Sequence, residues 1–312
     1  MAKKILVNID LNETYKQKIV FACPDAQIEF TPSGNDYEAV VGNLNAKMLA
    51  EYPKLTWFHS ETAGVEKYLK LLPENIVLSN SSGAYGYAIA EEMVGYTYAL
   101  AKKMAGYFKN QSEHKWLNLG MVKDVGEMHV LVVGLGDIGS RYAIRMKALG
   151  CMVTGIRRTI REKPEYVDEV TTLDRLDICL PQADVVALCL PATNATYHLI
   201  NYERLLKFKP DAILLNVGRG NAIVTDDLVK AVKEGHLGGV YLDVTDPEPL
   251  GKDNPLWDLQ DTIITPHVTG NYNLERTINN VVNIAIENIN RFCKGQKLLN
   301  VVDREIGYRE NH

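Results

Sequence analysis

A glycine-rich turn between a strand and a helix constrains the fold of this chain more than any other feature. The apolar run at residues 130–133 is followed by Gly134-Leu135-Gly136-Asp137-Ile138-Gly139, and a helical pattern then continues to residue 149. In such a turn the first glycine allows a tight bend, the second lets the backbone approach a pyrophosphate, and the third permits close packing of helix on strand. Residues 134–139 therefore predict a dinucleotide site in an α/β domain.

Strand and helix candidates alternate along a chain of 312 residues, which is long enough for two domains. In the first part, the strand candidates lie at residues 4–7, 27–30, 39–42, 55–59 and 76–78. In the second part, they lie at residues 128–133, 152–156, 184–190, 212–217, 239–244 and 262–265. This alternation predicts two doubly wound parallel sheets, and six strands suffice for a dinucleotide-binding sheet.

Two helical segments indicate how the domains are connected. Residues 84–109 lack Pro and are rich in Ala, Met, Leu, Glu and Lys, which predicts one long helix. Apolar residues at helical spacing in 277–292 predict a last helix that returns to the first domain. We expect a substrate domain at residues 1–95, a dinucleotide-binding domain at 96–274, and a C-terminal return to the substrate domain at 275–312.

The end of the second strand of the dinucleotide domain bears on the choice of cofactor. An NAD site usually has Asp or Glu there, which binds the ribose 2′-hydroxyl. This chain instead has Arg157-Arg158-Thr159. Two guanidinium groups suit a 2′-phosphate, so the sequence favours NADP(H). If the pair is only a solvated strand end, NAD(H) remains the alternative.

Polar and turn residues follow the later strands, at the sheet edge where ligands of open α/β sheets bind. Arg219 lies between two glycines after a buried strand, where it could fork onto a substrate carboxylate. Asp243 could bind a nicotinamide carboxamide, or it could be an internal cap or a member of an ion pair. The remaining candidates for cofactor contact at this edge are Leu190, Pro191, Thr196, Val217, Gly218 and Gly270.

Glu248 and His267 are the candidate acid–base pair. An oxo group that receives a hydride must also gain a proton, and imidazole can supply one near neutral pH. A neighbouring carboxylate would hold one tautomer of the ring and favour its protonated form. We find no spacing typical of metal ligands.

Composition excludes several other functions. A formal net charge of −5 and a pI near 5.9 give no basic footprint for nucleic acid. No apolar run approaches the length of a membrane span. The five Cys residues have no CxxC spacing, which favours a reducing, cytoplasmic location.

Taken together, these motifs resemble those of the D-isomer-specific 2-hydroxyacid dehydrogenases, a family of NAD(P)-dependent enzymes that includes glyoxylate and hydroxypyruvate reductases. The segments that carry the resemblance are 60–66, 80–83, 88–91, the glycine turn, 190–193, 216–220, 242–250 and 266–267. The resemblance implies a Rossmann dinucleotide-binding domain and a flavodoxin-like substrate domain. It also implies a homodimer built on residues near 84–125.

The resemblance further implies a role for each candidate. Arg219 would bind the substrate carboxylate and carbonyl, and the backbone around Ala63 and Gly64 would hold the carboxylate. His267 would donate the proton, and Glu248 would orient it. The expected product is a D-2-hydroxy acid, whereas the identity of the 2-oxo acid is left open.

Two other functions fit the sequence less well. A nucleotide-sensing binding protein on the same scaffold would need the fold without turnover, and the set Arg219, Glu248 and His267 argues against it. A serine hydrolase would need a GxSxG turn, which the sequence lacks.

Overall fold

The computed structural model describes residues 2–160 and 162–309 and divides into two compact units. Unit 1 comprises the chain up to Tyr85 and again from Tyr272 onward, and unit 2 comprises Gly86–Asn271. In the described part of the chain, no helix is both long and apolar enough to cross a membrane.

Unit 1 begins with a five-stranded parallel sheet. Its elements up to Tyr85 are β1 (Lys3–Asn8), α1 (Glu13–Ala22), β2 (Ala26–Glu29), β3 (Ala39–Gly42), α2 (Ala46–Glu51), β4 (Trp57–Ser60), α3 (Glu66–Leu71) and β5 (Val77–Asn80). The strand order is β2-β1-β3-β4-β5, and all pairs are parallel. This is the flavodoxin-like order, with a crossover helix between most neighbouring strands.

Unit 2 contains a larger parallel sheet. Its elements are α4 (Gly86–Ala101), α5 (Met104–Ser112), β6 (His129–Val133), α6 (Asp137–Ala148), β7 (Met152–Arg157), β8 (Glu169–Thr172), α7 (Leu176–Cys179), β9 (Val185–Leu188), α8 (Tyr202–Leu205), β10 (Ala212–Asn216), α9 (Thr225–Lys233), β11 (Leu237–Leu242) and β12 (Thr262–Ile264). The strand order β8-β7-β6-β9-β10-β11-β12 is the Rossmann order extended by one strand.

The sequence predicted six strands for this sheet, and the structure has seven. The strand that was not predicted is β8, whose residues Glu-Val-Thr-Thr lie at the sheet edge and are mostly part-exposed or exposed. An edge strand needs no continuous apolar run, whereas the interior strands β9 and β10 are buried throughout. The polar composition of β8 therefore concealed it.

The prediction of one long helix at residues 84–109 is wrong in one respect, because this part of the chain forms two helices. The chain turns between α4 and α5 at Lys103, whose φ of 55° lies in the left-handed region. The Nζ of Lys103 donates to the carbonyl of Leu119 at 2.8 Å, and the Nζ of Lys102 donates to that of Lys123 at 2.5 Å. Both bonds join distant parts of the chain, so helix propensity could not reveal the break.

The unit boundary lies after Tyr85, rather than after residue 95 as the sequence analysis placed it. Helix α4 is the reason, since it packs as a whole within unit 2. Thr97 of α4 shares a 2.7 Å hydrogen bond with the buried Tyr142 of α6, and Leu100 lies against Gly239 of β11. The second boundary lies after Asn271, where the expectation was residue 274.

The C-terminal elements complete unit 1. They are α10 (Glu275–Cys293), β13 (Val302–Asp303) and β14 (Tyr308–Arg309). Val281, Val282, Ala285 and Ile289 of α10 are buried in one cluster with residues of β1, β3 and α1. These are the positions at which the sequence has helical spacing, and burying them here makes unit 1 discontinuous in sequence.

Candidate active site

The glycine turn of unit 2 presents free backbone donors at the start of α6. The N–H groups of Gly134 and Leu135 both donate to the carbonyl of Ile156, at 3.0 and 3.2 Å. Those of Gly136, Asp137 and Ile138 make no hydrogen bond with any described residue. Unsatisfied N–H groups at a helix N-terminus favour an anion, so the turn fits the pyrophosphate of a dinucleotide.

Two glycines of the turn are required by close packing. Gly134 has a φ of 105°, and a Cβ there would lie 2.6 Å from the carbonyl oxygen of Cys189. A Cβ on Gly139 would lie 2.0 Å from the carbonyl oxygen of Gly134. The turn therefore closes tightly on itself and on the end of β9.

The side chain of Asp137 is committed to the protein itself. Its Oδ2 accepts a 2.9 Å hydrogen bond from the N–H of Gly86, the first residue of α4, and its Oδ1 accepts one of 2.7 Å from Nε of Arg141. Asp137 thus caps α4, and only its backbone N–H is available to a cofactor.

The end of β7 carries the two arginines and no acid. Arg157 is the last residue of the strand and is half-buried, while Arg158 and Thr159 are exposed. Two guanidinium groups therefore stand where NAD sites have a carboxylate.

The turn after β9 is closed by the hydroxyl of Thr196. This oxygen donates to the carbonyl of Pro191 at 2.7 Å and accepts from the N–H of Thr193 at 2.9 Å. The strand ends at Leu188, so Leu190 and Pro191 belong to this turn rather than to the strand. Thr196, predicted as a cofactor contact, uses its side chain to shape the turn.

Arg219 stands on a turn that the side chain of Asn216 holds from inside. Asn216 is fully buried at the end of β10; its Oδ1 accepts from the N–H of Gly218 at 3.1 Å, and its Nδ2 donates to the carbonyl of Arg219 at 3.0 Å. The Nη1 of Arg219 donates to the carbonyl of Gly218 at 2.8 Å. Asn216 was not among the residues predicted for the site, although an amide at the end of an apolar strand is a sequence signal for a buried polar contact of this kind.

Asp243 holds the turn that carries His267. Its Oδ1 accepts hydrogen bonds from Oγ1 of Thr265 at 2.7 Å and from the N–H groups of Val268 and Thr269 at 3.1 and 3.2 Å. Its backbone carbonyl accepts from the N–H of His267 at 2.9 Å. No described residue bonds to Oδ2 of Asp243. The carboxylate is therefore an internal cap with one oxygen left for a ligand.

His267 and Glu248 form the predicted pair. The Nδ1 of His267 lies 3.0 Å from Oε2 of Glu248, whose Oε1 accepts from the N–H of Thr245 at 3.2 Å. The side chains are 52% and 40% exposed, so the pair faces outward from unit 2. With Nδ1 held by the carboxylate, Nε2 is the nitrogen that can exchange a proton with a bound molecule.

The backbone at His267 is strained. Its φ of 51° lies in the left-handed region, which is uncommon for a residue with a side chain. The four bonds from the Asp243 cap hold this conformation in place. Strain of this kind, held by surrounding structure, is often found at sites where a side chain has to be aimed.

Topology brings these side chains to one sheet edge. The strands β10, β11 and β12 are neighbours and parallel, and Arg219, Asp243 and His267 each follow one of them within three residues. The glycine turn follows β6, and Arg157 is the last residue of β7, at the same edge. Val217, Gly218 and Gly270 lie in the same turns.

In unit 1, the loop after β4 is held by its carbonyl groups. The carbonyls of Thr62, Ala63 and Gly64 accept from the Ser81 N–H, Asn80 Nδ2 and Thr62 Oγ1, at 3.4, 2.8 and 2.9 Å. The N–H groups of Ala63 and Gly64 bond to no described residue. A loop with its carbonyls occupied and its amides open can bind an anion.

Comparison with known proteins places this arrangement in a family. Residues 94–269 match the NAD-binding domain of the D-isomer specific 2-hydroxyacid dehydrogenases. The chain belongs to that family. Because the match covers β6 to β12, it includes the glycine turn and the turns that carry Arg219, Asp243, Glu248 and His267.

Solved structures of 2-hydroxyacid dehydrogenases resemble the whole chain. A family member from Aeromonas salmonicida is 32% identical with a TM-score of 0.87, covering 97% of this chain and 100% of that one. A second, from Xanthobacter autotrophicus in complex with NADPH, is 25% identical with a TM-score of 0.86 and covers 99% and 100%. The predicted fold class, with a Rossmann and a flavodoxin-like domain, is confirmed.

Among relatives of known name, the glyoxylate reductase of Korarchaeum cryptofilum is 35% identical over 196 residues. The alignment covers 62% of this chain and 57% of that enzyme, so it spans little more than half of the relative's length. The predicted family and the predicted kind of enzyme, an NAD(P)-dependent 2-hydroxyacid dehydrogenase, are confirmed.

The packing of Gly139 predicts that Gly139→Ala damages this site. The added methyl would press on backbone, which cannot move aside, so we expect the free energy of unfolding to fall by about 1–3 kcal/mol and NAD(P)H binding to weaken. The matched control is Gly95→Ala in α4, where a Cβ meets nothing within 4 Å. That change should stabilise the protein by about 0.5–1 kcal/mol. Urea denaturation and fluorescence titration with NADPH measure both effects; equal stability of the two variants would contradict the packing argument.

Proposed function

We propose that this protein reduces a small 2-oxo acid to a D-2-hydroxy acid with NAD(P)H. The observation that carries the proposal is the 3.0 Å pair of His267 and Glu248 at the sheet edge of a dinucleotide-binding domain. A bound nicotinamide nucleotide would supply the hydride for the carbonyl carbon. The chain must then supply a proton, a carboxylate anchor and a binding turn.

His267 is the proposed proton donor. In the protonated ring, Nδ1 donates to Glu248 and Nε2 can protonate the carbonyl oxygen as the hydride arrives. In the reverse reaction, the neutral ring accepts the hydroxyl proton at Nε2. Glu248 orients the ring because its carboxylate holds Nδ1. The second oxygen of Glu248 accepts from the backbone of Thr245, which fixes the carboxylate in place.

Arg219 is the proposed anchor of the substrate carboxylate. A guanidinium offers donors in a planar fork that matches a carboxylate, and the buried Asn216 amide fixes the turn on which it stands. The open N–H groups of Ala63 and Gly64 in unit 1 are the backbone donors that we propose for a substrate carboxylate, as the family resemblance implies. A 2-oxo acid carries the carboxylate and the carbonyl on adjacent carbons, so one molecule can satisfy an anchor and a proton donor together.

NADP(H) is the proposed cofactor, with NAD(H) as the alternative. The glycine turn 134–139 would hold the pyrophosphate, and Asp243 Oδ2 would accept from the carboxamide. Arg157 and Arg158 would bind the 2′-phosphate, and the absence of an acid at the end of β7 removes the usual partner of a ribose hydroxyl. The similar structure from Xanthobacter autotrophicus holds NADPH, which supports this choice.

Glyoxylate and hydroxypyruvate are the substrates that we propose to test first, because a glyoxylate reductase is among the relatives. A catalytically weak, nucleotide-sensing protein is the alternative function. A cytoplasmic location remains a prediction from the five cysteines, all of which are unpaired in the structure.

We also propose a homodimer built on α5 and the segment that follows it. Phe108, Trp116, Leu117 and Met121 are 66%, 104%, 58% and 90% exposed, and no residue of α5 is buried. So many large apolar side chains in one short stretch typically mark a protein interface. The segment lies within the region for which the family resemblance implied a dimer.

The acid–base pair gives the main test of the function. His267→Ala should lower kcat for oxo-acid reduction by about 10²–10⁴-fold, the usual contribution of a general acid. Glu248→Gln should also lower kcat, because the ring loses the carboxylate that holds its Nδ1. The control is His129→Gln, at the start of β6 and so at the opposite sheet edge. Near-parent kcat in His267→Ala would refute the proposal.

Arg219→Ala alone should lose roughly ten- to several-hundred-fold in kcat/KM, because the substrate carboxylate loses its charged anchor.

Cofactor choice should depend on Arg157 and Arg158. Replacing both with Ala should raise KM for NADPH by about tenfold or more, since each guanidinium–phosphate bond is charge-assisted, while KM for NADH changes little. Arg175→Ala, which removes an exposed guanidinium elsewhere in unit 2, is the control. Steady-state kinetics with both cofactors measure the effect. An equal loss for NADPH and NADH would favour the NAD(H) alternative.

The dimer proposal predicts that charges on the exposed apolar segment separate the subunits. Sedimentation equilibrium of the parent should give about twice the chain mass of 34.9 kDa, and a variant with Phe108→Glu and Trp116→Glu should give the monomer mass. The control is Phe21→Glu, which adds one charge at a Phe of α1 that is 90% exposed. A monomeric parent would contradict the proposal.

A further inference from the structure

The chain crosses between the two units twice, and a tyrosine of unit 1 lies at each crossing. Both tyrosines are hydrogen-bonded to Glu61. The chain leaves unit 1 after Tyr85 and re-enters it at Tyr272. The hydroxyl of Tyr85 donates to the backbone carbonyl of Glu61 at 2.6 Å, and that of Tyr272 donates to Oε2 of Glu61 at 2.8 Å. All three residues belong to unit 1, so the cluster is complete within that unit.

Glu61 is buried and is held by hydrogen bonds rather than by a salt bridge. It is 9% exposed, and burial raises the pKa of its carboxyl and of the Tyr272 hydroxyl. Its Oε1 accepts from Nδ2 of Asn43, whose Oδ1 accepts from the hydroxyl of Tyr68 at 3.3 Å. No Lys or Arg of the described chain lies within salt-bridge distance of Glu61. Lys67 acts on this carboxyl only from beyond salt-bridge distance. A buried carboxyl without an ion-pair partner is energetically costly, which calls for a reason beyond packing.

Glu61 directly precedes the Thr62-Ala63-Gly64 loop. Its N–H donates to the carbonyl of Gly42 at 3.4 Å and its own carbonyl accepts from Tyr85, so both sides of its backbone are fixed. The position of Glu61 therefore determines where the loop starts. The open N–H groups of the loop follow two and three residues later.

We propose that Glu61 is a positioning residue for the 62–64 loop, and that it ties this loop to the two points where the chain crosses between units. The inference rests on the proposed function, in which the loop binds the substrate carboxylate. Glu61 touches neither the substrate nor the cofactor in this proposal. It acts through the loop, and Tyr85 and Tyr272 act through Glu61.

The chain contains a matched control for a purely structural role. Tyr37 and Glu29 form a second tyrosine–glutamate hydrogen bond in unit 1, which is part-buried and lies at the edge strand β2, three strands away from β4. Glu29 also pairs with Lys4 at 3.5 Å, and the N–H of Ser33 donates to the Tyr37 hydroxyl at 2.8 Å. Removing the hydroxyl of Tyr37 should cost stability without moving the loop. Removing that of Tyr272 should do both.

The experiment compares Glu61→Ala, Glu61→Gln, Tyr85→Phe and Tyr272→Phe with Tyr37→Phe. For each variant it measures KM and kcat with glyoxylate, the Kd of NADPH, the Kd of oxamate in the presence of NADP⁺, and the thermal midpoint. We expect Glu61→Ala and Tyr272→Phe to raise KM and the oxamate Kd by roughly five- to fiftyfold, the size of one lost buried hydrogen bond. The Kd of NADPH should stay within about twofold, since the cofactor residues lie in unit 2.

Two further results are expected. Glu61→Gln keeps an oxygen acceptor, so it should recover part of the loss, and the double variant Glu61→Ala with Tyr272→Phe should be no worse than Glu61→Ala alone. Tyr37→Phe should lower the thermal midpoint and leave KM unchanged. The tyrosine variants keep the test valid if Glu61→Ala fails to fold.

Other outcomes overturn the inference. If Tyr272→Phe changes KM and the oxamate Kd no more than Tyr37→Phe does, Glu61 has only a structural role. If the parent binds oxamate but does not reduce oxo acids, and the Glu61 variants still weaken oxamate, the proposed activity fails while the positioning role stands. A parent that neither binds oxamate nor reduces oxo acids refutes both.

Discussion

The parallel alignment of β10, β11 and β12 is the constraint on which the candidate active site depends. Parallel neighbours end at the same sheet edge, so the turns that follow them begin side by side. Those turns leave buried backbone groups that need partners, and buried polar side chains provide them. The side chain of Asn216 hydrogen-bonds backbone groups of the turn that carries Arg219, and that of Asp243 does the same in the turn that carries His267. Arg219 and His267, which we propose to meet the substrate, are thus positioned by the side chains of Asn216 and Asp243.

This arrangement strains the backbone of His267. Its backbone occupies the left-handed region, and its side chain is more than half exposed while Glu248 holds one ring nitrogen. The three donors on Oδ1 of Asp243 and the bond to its carbonyl hold the turn in that conformation. A turn held in this way suits the proposed role of His267 as general acid, because such a donor must already be in place when charge develops.

Unit 1 solves a related problem with its carbonyl groups. Asn80, Ser81 and Thr62 occupy the carbonyls of the 62–64 loop, which leaves its amides free for an anion. Glu61 fixes the start of that loop and is bonded to the tyrosines at both chain crossings. The discontinuity of the unit is essential here, because Tyr272 reaches Glu61 from a segment more than two hundred residues away along the chain.

Local sequence determined the fold class and the candidates for chemistry. The glycine turn, the period of the apolar runs, and the residues that follow each strand depend on near neighbours, so Arg219, Glu248 and His267 could be named from the sequence. Tertiary structure decided what long-range contacts control. It split the helix at Lys103, added the polar edge strand β8, and assigned the Asp137 carboxylate to α4. It also joined Glu61 to Tyr85 and Tyr272, because hydrogen bonds between residues far apart in sequence leave no periodic pattern from which they could be predicted.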